Sequence, residues 1–131
     1  MGRVHAEVPV EDIQSAAAQQ TLTTAVLRAA ELLQVPQSEL AGILGLSPAT
    51  VSRMSSGQYL LQVDRKEWQL AALFVRLFRS LDSITGGRDD LSRTWLRTHN
   101  HALAASPASL LQQIESFVRV VQYLDASRAA V

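Results

Sequence analysis

The 131-residue chain contains no cysteine, which excludes disulfides and thiolate metal sites and fits a reducing cytoplasm. Aromatic residues are scarce, at 5%, and no stretch alternates apolar with polar residues, so strands are not expected. Net charge is also missing: 12 basic residues balance 12 acidic ones. A stand-alone, high-affinity nucleic-acid binder is usually basic, so the balance argues for a local basic patch, a dimer, or help from a partner. No apolar run approaches the ~20 residues of a membrane span, and the N-terminus lacks the apolar core of a signal peptide. Gly-rich phosphate loops and Ser/His/Asp arrangements are absent too, so neither an enzyme nor a cofactor is expected. What remains is 47% hydrophobic and rich in alanine and leucine, which predicts an all-α protein of one domain or two very small ones.

The most specific stretch runs from Pro36 to Gly57. Pro36 favours a helix start just before Gln37, Ser38 and Glu39. Ala41 is small where two helices must cross, and Gly45 supplies the left-handed geometry of a turn. Ser47 is a natural N-cap for a second helix with Pro48 in its first turn, and Gly57 stops that helix. Leu40, Leu44, Leu46, Val51 and Met54 occupy the inward positions. This spacing predicts a helix-turn-helix, whose second helix enters the DNA major groove. Ala49, Thr50 and Arg53 then point outward, Arg53 toward a guanine and the other two toward thymine methyls. Gln37, Ser47, Ser52 and Ser56 are placed for phosphate contacts, which set register.

Three segments are expected: a flexible arm over residues 1–20, the helix-turn-helix domain over 21–65, and a second module over 66–131. Leu22, Val26, Leu27, Ala30 and Leu33 recur at helical spacing and form the first helix of the DNA-binding unit. Residues 66–83 make a long helix whose broad apolar face suits packing against both modules. Thr85-Gly86-Gly87 is the clearest break in the chain. Asp89-Asp90 open another helix, and a last helix over 107–124 follows Ser106-Pro107. Trp68 and Trp95, in phase with leucines, read as core residues. His99 and His101 lack a third ligand and read as loop histidines, so no metal site is expected.

The run from Trp95-Leu96 through Asn100-His-Ala-Leu103 to Pro107 and Leu110-Leu111 resembles the toxin-binding module of the Xre/MbcA/ParS antitoxins. The order of the chain, helix-turn-helix first and this module last, is similar as well. Ala104-Ala105 stands where family members often carry glycines, and Ala126-Ser127 where a glycine commonly ends the last helix. The resemblance implies a type II antitoxin whose partner is an NAD-consuming RES-domain toxin. It also implies that the C-terminal module covers the toxin's nucleotide pocket and that a dimer represses its own operon. Under that reading Val118, Val121, Tyr123, Leu124, Arg128 and Val131 form the toxin-facing end. The residues alone leave two rivals open: an adaptor whose helix-turn-helix no longer reads DNA, and a stand-alone repressor.

Overall fold

The computed structural model describes residues 10–130, nearly all of whose regular structure is helical. The helices are α1 (Val10–Leu33), α2 (Gln37–Leu44), α3 (Pro48–Ser55), α4 (Lys66–Ile84), α5 (Asp89–Arg97) and α6 (Ile114–Ala130). A 3-10 turn, Pro107–Leu110, lies between α5 and α6, and a single bridge pairs Asn100 with Ala105.

Two expectations about boundaries need correction. Residues 10–20 are not an arm but the first half of α1. Alanines at 16–18 favour a helix there, and no glycine or proline interrupts it after Pro9. This half has little of an apolar face to signal a helix, and Val10 and Ile13 remain 63% and 54% exposed. Gln19 ties the helix down by donating to the Leu61 carbonyl at 2.9 Å. The rest of the expected arm, residues 1–9, lies outside the described residues. The second correction concerns the last helix. Pro107 starts only the short 3-10 turn, and α6 begins afresh at Ile114. Ser116 marks the new start, its hydroxyl donating to the Leu110 carbonyl at 2.6 Å.

Both halves of the chain share a hydrophobic core. α4 lies at its centre and packs against α6 most extensively, then against α1 and α2. Phe74 and Leu77 of α4 are fully buried, as are Phe117 and Val120 of α6. Burying each such side chain contributes about 1.5–3 kcal/mol. Ser80 of α4 donates to Asp125 of α6 at 2.9 Å, and Arg76 pairs with the same carboxylate.

The C-terminal part is also fastened to the N-terminal helices. Arg93 of α5 donates to the Leu32 carbonyl of α1 at 2.9 Å. Arg97 grips Glu39 of α2 through both carboxylate oxygens, at 3.0 and 2.8 Å. The Gln112 amide lies so close over Gly42 that a Cβ there would come within 2.5 Å of it. The turn at Gly86-Gly87, both at positive φ, therefore redirects the chain between packed elements. Among the described residues, no helix is long and apolar enough to cross a membrane.

Candidate DNA-contacting and partner-binding surfaces

The turn between α2 and α3 is built as its residues dictate. Gly45 adopts φ 70° and ψ 31°, a conformation that costs glycine nothing, and its N–H closes onto Ala41. The Leu46 N–H donates to the same Ala41 carbonyl at 2.9 Å. The Ser47 hydroxyl then accepts from the Thr50 N–H at 3.1 Å and caps α3. Val51 and Met54 bury the inner face of α3 against the core, together with Leu40, Ala41 and Leu44 of α2.

That packing leaves the other face of α3 to solvent. Ala49, Ser52 and Arg53 are exposed and Thr50 is half-buried. The Arg53 guanidinium donates to the Thr50 hydroxyl at 3.1 Å, and that hydroxyl lies 2.9 Å from the Ser47 hydroxyl. A three-residue polar string thus runs along the outer face of the helix. The Ser52 hydroxyl has no hydrogen-bond partner among the described residues. The other three expected phosphate ligands use a group internally. Gln37 donates to Ser55 at 2.9 Å, Ser56 donates to the Arg53 carbonyl at 3.1 Å, and Ser47 serves as the cap. Gln37 and Ser56 would have to exchange these bonds for a phosphate, whereas Ser52 is free to make one.

One cation near this face was not among the residues singled out in the sequence. Arg65 follows the loop after α3, and it and Arg53 both act on the phenol of Tyr59. Arg65 is the residue that precedes α4 and carries no periodic signal, so only the folded loop brings it and Arg53 to act on the same phenol. Tyr59 organises that loop. Its hydroxyl donates to Glu67 at 2.7 Å, and the same carboxylate oxygen accepts the Gln62 N–H at 2.9 Å. Burial, then the bond to Glu67, push the Tyr59 phenol up to about 12, so it remains a donor across the neutral range. Glu67 itself is only 5% exposed, and both bonds fall on its Oε2.

The C-terminal candidates divide. Val121 and Leu124 are 2% and 1% exposed, so they are core residues and not toxin-facing surface. Helical spacing places them with Phe117 and Val120 on the stripe that packs against α4, and that packing removes them from any partner. Val118 and Tyr123 are half-buried on the flanks of α6, and Arg128 is exposed near its end, 3.5 Å from the Ser80 hydroxyl. Val131 lies outside the described residues. Trp95 also departs from a plain core reading: it is half-buried and stacks on Tyr123, with ring centroids 6.4 Å apart. Leu96 beside it is fully buried.

The loop after α5 is closed by its own polar groups. The Asn100 side chain accepts the Leu103 N–H at 3.1 Å, and the Asn100 N–H donates to Ala105 at 3.0 Å. Arg119 of α6 fastens the loop by donating to the Leu103 carbonyl at 3.0 Å. His99 and His101 meet edge to face on its exposed side, with centroids 5.8 Å apart.

Two protein-family models match this arrangement. Residues 12–76 match the antitoxin Xre-like helix-turn-helix domain, and residues 80–129 match the antitoxin Xre/MbcA/ParS C-terminal toxin-binding domain. The chain belongs to the Xre/MbcA/ParS antitoxins. No curated protein matches it. The antitoxin therefore carries a DNA-binding unit and a toxin-binding unit, and its partners are DNA and a toxin. The two matched regions meet inside α4, the helix that supports both.

Proposed function

We propose that this antitoxin neutralises a RES-domain toxin that consumes NAD, by covering the toxin's nucleotide pocket with its C-terminal module, and represses its own operon as a homodimer. The observation that carries the reading is the union, in one chain, of an α3 whose outer face is open with a toxin-binding domain. The RES-type partner is supported by the resemblance of the run from Trp95 to Leu111. In the repressor role, Arg53 reads a base edge while Ala49 and Thr50 contact thymine methyls. Gln37, Ser47, Ser52 and Ser56 hold the backbone, and Arg65 adds a phosphate contact. A helix-turn-helix dimer places two such helices about one DNA turn apart, so the operator is expected to be palindromic. In the neutralising role, Tyr123, Val118 and Arg128 contribute from α6.

Mobility shifts on the promoter upstream of the gene test the DNA half. Arg53→Ala is expected to weaken operator binding by about 1–3 kcal/mol and to relax preference at one base pair. Arg65→Ala is expected to weaken all sequences alike and to lower the salt dependence. Unchanged affinity and unchanged sequence preference in Arg53→Ala would remove the base-reading role. No shift for the wild type, with or without toxin, would favour an adaptor that no longer reads DNA.

A further inference from the structure

Most faces of the toxin-binding domain are taken up by the fold itself. α6 turns Phe117, Val120, Val121 and Leu124 into the core, and one flank holds α4 through Asp125. α5 buries Leu96 and Ser92 and ties Arg93 and Arg97 to α1 and α2. Ile114, exposed at the start of α6, sits beside Gly42 and Lys66 next to the DNA-binding unit.

A different surface is left over. Leu91 of α5 is 45% exposed although it is a large apolar residue on a well-packed helix. Trp95 follows one turn later, and its indole stacks on Tyr123 of α6 at an interplanar angle of 18°. Both rings are half-buried. Among the described residues, neither the Trp95 indole N–H nor the Tyr123 hydroxyl has a hydrogen-bond partner. Two half-buried rings stacked on each other beside an exposed leucine, with two side-chain polar groups unused, have the composition of an interface hot spot. The exposed Arg88–Asp90 pair, at the start of α5 immediately before Leu91, supplies a charged rim.

We infer that the Leu91–Trp95–Tyr123 surface, spanning α5 and α6, is the docking site of the toxin. The inference rests on the toxin-binding reading of the domain and moves its centre from the end of α6 to the α5–α6 seam. The partner surface it fits is apolar, with hydrogen-bond acceptors placed for the indole N–H and the phenol. Docking there puts the toxin on one side of α5, while the other side grips the two helices that support α3.

The chain holds two tryptophans, so Trp68→Phe leaves Trp95 as a single reporter. A RES-domain toxin encoded beside the gene is titrated into this protein while emission and acrylamide quenching are followed. Trp95 is expected to shift to the blue and to become protected in the complex. Leu91→Glu, at an exposed position, is expected to lower toxin affinity at least about tenfold, with melting and operator binding unchanged. Ile114→Glu, at a comparably exposed apolar position beside the DNA-binding unit, is expected to change it far less. A Trp95 that stays fully quenchable in the complex overturns the assignment, as does a folded Leu91→Glu protein that binds toxin like wild type. If the wild type binds no RES-domain toxin at all, the RES reading falls first and takes this surface with it.

Discussion

Ala104 shows how a single residue records a departure from the family pattern. It adopts φ 61°, a left-handed conformation, in the loop where related antitoxins often carry glycine. The loop geometry demands that conformation because the Asn100–Ala105 pairing and the Arg119 bond to Leu103 hold both ends of the turn. An L-residue there is strained by about 1–2 kcal/mol. Ala104→Gly removes the strain, though the freer unfolded chain takes back part of the gain. The expected net effect is a stabilisation of about 0.5 kcal/mol, read as a small rise in the denaturation midpoint with unchanged slope. At this scale the chain was partly legible. Gly45, Ser47 and Val51 could be assigned because turn and cap chemistry is local. Arg65 and the Trp95–Tyr123 stack could not, because each depends on residues brought together by loops or by a second helix.

At the scale of elements, α3 is the short helix that the proposed function places against DNA. Its cap is therefore a sensitive point. Ser47→Ala removes the bond to the Thr50 N–H and one member of the string that leads to Arg53. A loss of about 1 kcal/mol in stability is expected, measured by urea unfolding. Operator affinity is expected to fall as well, because Thr50 and Arg53 lose their orientation. The existence and type of α2, α3, α4 and α5 followed from spacing and breakers. The two missed features have distinct causes. α1 begins early because alanine propensity suffices without an apolar face. α6 begins late because Pro107 opens a 3-10 turn whose apolar residues continue the helical period read across it. Val121 and Leu124 were misplaced for a related reason: an apolar surplus on a helix identifies buried and partner-facing stripes alike, and only the position of α4 separates them.

At the scale of the molecule, the glycine pair at 86–87 reads in sequence as a boundary between modules, yet the core runs across it. α4 lies between α1 and α6, so neither matched domain keeps its packing without that helix. A fragment of residues 88–131 is expected to be unfolded by circular dichroism, since it loses α4 and offers too thin a core. The intact protein is expected to unfold in one cooperative transition. A folded 88–131 fragment with native-like melting would show that the two units are independent.

Under the proposed function, this antitoxin neutralises an NAD-consuming RES-domain toxin. The most direct measurement is the rate of NAD consumption by that toxin as purified antitoxin is added. A stoichiometric fall to background is expected, which Leu91→Glu restores toward the uninhibited rate. Full NAD consumption in the presence of excess folded wild-type protein would contradict it.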